Sequence, residues 1–228
     1  MGINDTYSES NVIKMRIHNE KEAAERYYRE NPDSLIPLFE RELRELGFDF
    51  EVSSQTFGFI PKYKKDILPI AVRYYQLAKK LKKTNEQIHF MGFFRIKGFD
   101  DIVPMLLEDY YSEETDDLTR WFISDCLYYI RSRKFIREYH KISSNGLFGI
   151  NRQMIVLLLG KLKEDSSIPI LTALLEDEDV RLQAICALGD YKREDFRGYF
   201  DRFKDDANPG LRKYARAALK KLDKQIGQ

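Results

Sequence analysis

Three histidines and two cysteines are the side chains best suited to metal binding or covalent chemistry. His18, His89 and His140 lie far apart along the chain, and no His/Cys spacing suits a zinc site. Cys126 and His140 fall in neighbouring segments, so a thiol activated by an imidazole is one conceivable arrangement. Cys126 nevertheless occupies an apolar position of a helical pattern, as does Cys186. Both therefore read as small core residues with free thiols. No glycine-rich phosphate loop is present. The expectation is a chain without catalytic residues, metal or cofactor, whose chemistry is recognition.

Side chains for recognition are plentiful. Tyrosine doublets occur at Tyr27–Tyr28, Tyr74–Tyr75, Tyr110–Tyr111 and Tyr128–Tyr129. Adjacent helical residues point about 100° apart, so one of each pair can sit in the core and the other at its rim. Tyr74, Tyr111 and Trp121 are the expected rim aromatics, a residue class enriched in interfaces. Charge is segregated. Residues Pro61 to Lys97 hold ten Lys/Arg against two Asp/Glu, net +8, whereas Gly98 to Leu118 hold eight Asp/Glu and no Lys/Arg, net −8. The net charge of +1 conceals this and removes any global attraction to nucleic acid or membrane. These blocks read either as solvated turns or as a polarised edge that docks on a charged partner.

At 228 residues, 43% hydrophobic and 33% charged, the chain suits a folded protein with much surface. Two isolated cysteines form no disulfide framework. No apolar leader and no membrane-length apolar run is seen, so the expected compartment is the cytoplasm, without membrane association.

The elements that must position these residues are helices. Residues 1–9 read as disordered, and 10–228 as a single domain. Helical patterns run over about Ser10 to Glu30, over Leu35 to Leu46 with a stop at Gly47, and from Lys64 to Leu81. Residues 47–62 are aromatic but aperiodic, either a degenerate helix or, as expected here, a loop. Beyond them helices are predicted at 84–97, 100–111, 115–131, 133–142, 150–162, 166–176, 179–190, 193–204 and 209–224. No strand pattern persists.

Two ladders order these helices. Arg120, Arg152, Arg181 and Arg212 each precede Ile or Ala by three residues and Leu by seven, at separations of 32, 29 and 31. Pro37, Pro69, Pro104 and Pro169, with Arg137 and Gly198 in the same slot, mark the starts of alternate helices at separations of 32, 35, 33, 32 and 29. Proline is tolerated in a first turn, whose N–H groups have no helical partner. A period near 32 residues means helical hairpins stacked in series. Each arginine is placed to bond the acidic turn or the carbonyls of the neighbouring hairpin, as an exposed contact worth about 0–1 kcal/mol.

The segment Asp177-Glu178-Asp179-Val180-Arg181-Leu182-Gln183-Ala184-Ile185-Cys186-Ala187-Leu188-Gly189 resembles the short HEAT-like repeat first described in phycobilisome lyases, with its acidic turn, Val-Arg, Ala and Ala-Leu-Gly. Leu211 to Leu219 is a second match, Asn151 to Gly160 a third, and the likeness is best over 118–224. The resemblance implies an all-α protein, a right-handed α-α superhelix of about six hairpins. It also implies that second helices line the concave face. Four residues after the proline slot come Arg41, Arg73, Glu108, Lys141, Ala173 and Arg202. With Arg137, the cations Arg41, Arg73, Lys141 and Arg202 would make a broken basic stripe there.

The implied function is a non-catalytic scaffold that binds another protein through the concave face and the charged loop edge. The alternative is a nucleic-acid-binding protein similar to the HEAT-like alkylpurine DNA glycosylases, which set a basic concave face on the DNA backbone. A bilin lyase, suggested by the repeat type, lacks a suitably placed cysteine.

Overall fold

The computed structural model describes residues 22, 26, 28–48 and 64–226. Among them the chain is built of α-helices and short 3-10 turns, with no strand. The disordered N-terminus expected at 1–9, His18, most of the helix at Ser10 to Glu30 and nearly all of 47–62 lie outside the described residues. The chain divides into two compact units, 1–90 and 91–228.

In the first unit, α1 (Ile36–Glu45), α2 (Lys64–Lys80) and α3 (Thr84–Met91) surround an aromatic core. Phe39 meets Tyr74 edge-on at 5.3 Å and Phe90 at 5.2 Å between ring centroids. Pro37 lies in the first turn of α1, as its slot predicts. Pro69 does not: it falls inside α2, beyond the first turn. Leu35, the residue before α1, offers no side-chain cap. Glu86 of α3 supplies one instead, its buried carboxylate accepting from the Leu35 N–H at 3.1 and 3.3 Å. An anion at a helix N-terminus is stabilised by the exposed N–H groups there.

The second unit alternates short and long helices. The short ones are α4 (Val103–Tyr111), α6 (Ile136–Ser144), α8 (Ile168–Ala173) and α10 (Arg197–Asp201). The longer ones are α5 (Asp117–Ile130), α7 (Gln153–Leu162), α9 (Arg181–Tyr191) and α11 (Pro209–Ile226). Each short helix packs on the longer one that follows it, and α5 packs on α7, α7 on α9 and α9 on α11. A 3-10 turn leads into every short helix, at 100–102, 133–135, 165–167 and 194–196.

Small residues set the spacing of the long helices. A Cβ on Gly160 would come within 2.5 Å of the Ala187 Cα, and one on Gly189 within 3.2 Å of the Ala218 Cβ. Successive helices thus meet at the Ala-Leu-Gly segment, where the absence of side chain permits close approach. Ile123, Leu127, Ile155, Leu159, Ala184, Leu188, Ala215 and Ala218 are all buried. Three of the four long helices end on a cation. Arg131, Lys163 and Lys192 close α5, α7 and α9, each with φ 56. A left-handed cap on a non-glycine residue costs energy, but a Lys or Arg there faces the negative end of the helix dipole.

Candidate interaction surface

The arginine row performs one repeated task in the second unit. Arg120 donates to the carbonyls of Tyr110 and Ser112 at 3.0 and 3.1 Å. Arg152 donates to Ser143 O at 3.1 Å and Gly149 O at 2.9 Å. Arg181 reaches Leu175 O at 2.7 Å and Glu176 O at 3.2 Å, and Arg212 reaches Asp206 O at 2.5 Å. In each case the guanidinium satisfies carbonyls left without helical partners at or beyond the end of the preceding short helix. The expectation of exposed contacts needs correcting for the whole row: Arg120, Arg181 and Arg212 are half-buried, and Arg152 is buried outright. Arg152 is 1% exposed and also pairs with Asp177 at 2.8 Å.

Because these arginines face inward, the turns above them present carboxylates. Glu113, Glu114, Asp116 and Asp117 are exposed in the first turn, and Glu178 and Asp179 in the third. Asp116 Oδ1 caps α5 by accepting from Thr119 N at 2.8 Å. The turns touch in series: Asn151 Nδ2 donates to Asp117 Oδ1 at 2.9 Å, and Gln153 Nε2 to Asp179 O at 3.0 Å.

The second of these turns is apolar. Residues Gly146–Arg152 form a 3-10 segment broken at Gly149, whose φ of 48 and ψ of −132 favour glycine. Leu147 is 94% exposed and Ile150 57%. Leu118, beside Asp117, is 53% exposed and Tyr111 42%. The segment is nonetheless fixed. The Phe148 ring lies 4.9 Å from Tyr110 and 5.9 Å from Tyr111. Leu147 N donates to Asn145 Oδ1 at 3.1 Å, Ser124 Oγ to Asn151 O at 2.6 Å, and Arg152 Nε to Gly149 O. Leu147 falls in the break between the helices predicted at 133–142 and 150–162, and Ile150 and Leu118 fall within predicted helices, so no pattern marks the three as exposed. The available signal was three bulky apolar residues among turn-forming Asn and Gly.

The predicted rim aromatics divide. Tyr111 is exposed, its hydroxyl donating to Glu138 at 3.2 Å; burial and that carboxylate push its pKa up to about 12. Trp121 is half-buried on α5, edge-on to Phe122 at 5.4 Å. Tyr74 is buried against Phe39 and Phe90, a core residue and not a rim one, as is Tyr75.

The basic row is exposed throughout but largely ion-paired. Arg41 and Arg73 belong to the first unit, and Arg73 pairs with Glu42. Arg137, Lys141 and Arg202 belong to the second. There Lys141 pairs with Glu138 at 2.7 Å and Arg202 with Glu176 at 2.6 Å. Elsewhere in this unit Arg133 pairs with Glu164, Lys134 with Asp100 at 3.0 Å, and Lys161 of α7 with Asp190 of α9 at 2.7 Å.

The reactive side chains go elsewhere than to a shared site. The Cys126 thiol donates to Met91 O at 3.3 Å, and burial pushes its pKa up. His140 Nε2 lies 2.8 Å from Ser167 Oγ, and burial lowers its pKa. The conceivable Cys126–His140 pair is therefore not formed. Burial likewise lifts the Cys186 thiol to about 11, leaving little thiolate near neutrality. Burial also raises the Asp125 carboxyl, partly offset by Arg95 at 3.1 Å. Among the described residues no group of three His, Cys, Asp or Glu could hold a metal, and no helix is long and apolar enough to cross a membrane.

No family model matches the chain, and neither a curated protein nor a solved structure does. The class that the described residues define is an all-helical protein.

Proposed function

We propose that the chain is a HEAT-like α-solenoid, a right-handed α-α superhelix of about six hairpins, that serves in the cytoplasm as a non-catalytic scaffold for another protein. The repeated cap carries this reading. Arg120, Arg152, Arg181 and Arg212 each satisfy carbonyls at or beyond the end of the preceding short helix, while the long helices pack in order. Units joined in this way add surface in one direction, and such arrays bind extended partners. The partner is a protein and not a nucleic acid: three of the five cations of the basic row already face carboxylates, and the exposed turns beside Leu147 are acidic.

Two measurements test this. Small-angle scattering should give an elongated particle, and a compact sphere contradicts the solenoid. Quantitative affinity capture with the whole chain should enrich a protein that a charge-reversed Arg137→Glu/Lys141→Glu/Arg202→Glu variant or a Glu113→Gln/Glu114→Gln variant of the loop edge fails to enrich. Duplex DNA binding at about 50 mM salt, where phosphate contacts are strong, would overturn the protein-binding reading.

A further inference from the structure

Along the turn row of the second unit an apolar surface and a field of one sign coincide. Leu118, Leu147 and Ile150 are more than half exposed. Bulky apolar residues in turns ordinarily fold inward, since burying one stabilises by about 1.5–3 kcal/mol. Here the backbone cannot fold inward. Arg152 holds Gly149 O from below, Ser124 holds Asn151 O, Asn145 holds Leu147 N, and Phe148 is seated against Tyr110 and Tyr111. The patch is thus set in place before anything binds it, which lowers the ordering cost of association.

Its electrostatic surroundings select the occupant. Glu113, Glu114, Asp116 and Asp117 lie on one side, and Asp179 on the other, with Gly149 facing its carboxylate. Of the arginines of the same turns, Arg120 bonds carbonyls beneath and pairs with Asp117 at 3.0 Å. Arg152 bonds carbonyls and pairs with Asp177 at 2.8 Å and Asp179 at 3.7 Å. The uncompensated negative charge is therefore concentrated on Glu113, Glu114 and Asp116. A nucleic acid or an anionic membrane would meet repulsion. A cationic chain would be steered in, and its apolar side chains would find the patch.

We infer that this edge docks a Lys/Arg-rich segment of another protein, which lays aliphatic or aromatic side chains on Leu118, Leu147 and Ile150 between the two groups of carboxylates. The inference rests on the scaffold reading and names the surface and the partner's chemistry.

The test uses the full chain and three labelled synthetic peptides of equal length: alternating Lys/Leu, Lys/Ser and Glu/Leu. Fluorescence anisotropy should show binding of the Lys/Leu peptide, weakening as salt rises. The Lys/Ser and Glu/Leu peptides should bind at least about tenfold more weakly, the loss expected when anchoring contacts are removed. Leu147→Ser/Ile150→Ser and Glu113→Gln/Glu114→Gln should each reduce Lys/Leu affinity by a similar factor. Both pairs are exposed, so folding should be unchanged by circular dichroism. Equal binding of Lys/Ser and Lys/Leu overturns the proposal, as does wild-type affinity in the loop variant. Loss of binding in Arg137→Glu/Lys141→Glu/Arg202→Glu with the loop variants intact moves the site to the basic row. It would overturn this inference while leaving the scaffold reading in place. Sedimentation velocity of the chain alone supplies the last arm. Self-association abolished by Leu147→Ser and by charge reversal at Lys79, Lys80, Lys82 and Lys83 makes a second copy the occupant, and also overturns it.

Discussion

Gly160 lies so close to Ala187 that a methyl group on the glycine would stand 2.5 Å from the alanine Cα. The contact is with backbone, which cannot swing aside. Substituting Ala should therefore force α7 and α9 apart and cost about 1–3 kcal/mol, as overpacking does. The gain in helix propensity, about 1 kcal/mol, opposes this only in part. At Gly189 the neighbour is the Ala218 Cβ at 3.2 Å, a contact that a small shift relieves. There the propensity gain offsets the crowding, and Gly189→Ala should stay within about 1 kcal/mol of the parent. Urea unfolding of the two variants checks the difference; equal destabilisation would contradict the close-packing account.

Arg152 and Arg212 share a sequence frame but not an environment. Arg152 is 1% exposed and joins Ser143 O, Gly149 O and Asp177, whereas Arg212 is half-buried and bonds the carbonyls of Asp206 and Ala207. Removing Arg152 leaves two carbonyls without their partner at a buried position, while Asp177, 30% exposed, can turn to water. Arg152→Met should cost about 2–4 kcal/mol, roughly 1–3 for each group left unsatisfied. Arg212→Met should cost about 0.5–1.5 kcal/mol, the ordinary value of a hydrogen bond. Arg152→Lys should not restore the parent stability, because a single ammonium cannot reproduce the planar fork. Thermal melts of the three variants read this order directly.

Much of this architecture was legible in the sequence, for physical reasons that differ residue by residue. The helices of the second unit followed from apolar periodicity, and the arginine row from its fixed distance to Ile or Ala and Leu. Arg152 and Arg181 look alike in sequence. Their difference arises because residues 146–151 fold over one and not the other, which no local pattern encodes. Pro69 fitted the spacing of the proline ladder, yet it sits within α2. Spacing fixed its interval but not where the helix begins. Tyr74 and Tyr75 are both buried, because α1 and α3 enclose α2 from more than one side. Adjacent angles on one helix say nothing of how many neighbours it has. The exposed Leu147 escaped notice because a bulky apolar residue in a break has no period to place it inside or out.

Asp116 separates stability from surface charge at the acidic turn. Its Oδ1 accepts from Thr119 N at 2.8 Å and its Oδ2 from the Thr119 hydroxyl at 2.9 Å. Asp116→Ala removes the cap of α5 and should lower stability by about 0.5–2 kcal/mol. Asp116→Asn keeps an acceptor for the backbone N–H and should fall well short of that loss. A melt of each variant distinguishes capping from charge. Identical losses would mean that the carboxylate charge, and not the cap, stabilises the turn.

Alkaline pH should unfold the protein from the thiol and phenol groups inward. Burial lifts Cys186 from 9.0 to about 11 and, with Glu138, lifts Tyr111 from 10.0 to about 12. Burial also raises Cys126, Tyr110 and Tyr139. In every case the folded state holds the proton more tightly than the unfolded chain. The associated stability is complete below the unfolded value and falls as pH climbs toward the folded one. Urea midpoints should therefore be level near pH 8 and decline from about pH 9 upward, with unfolding linked to proton release. Cys186→Ala deletes one of two buried thiols that share an unfolded value of 9.0, and Cys126 remains. Its decline should still begin near pH 9 but be shallower than the parent's. The onset should move toward about pH 10, where the tyrosines start to ionise in the unfolded chain, only when Cys126 is replaced as well. A variant whose alkaline profile matches the parent would show that Cys186 ionises as readily folded as unfolded, contrary to its burial.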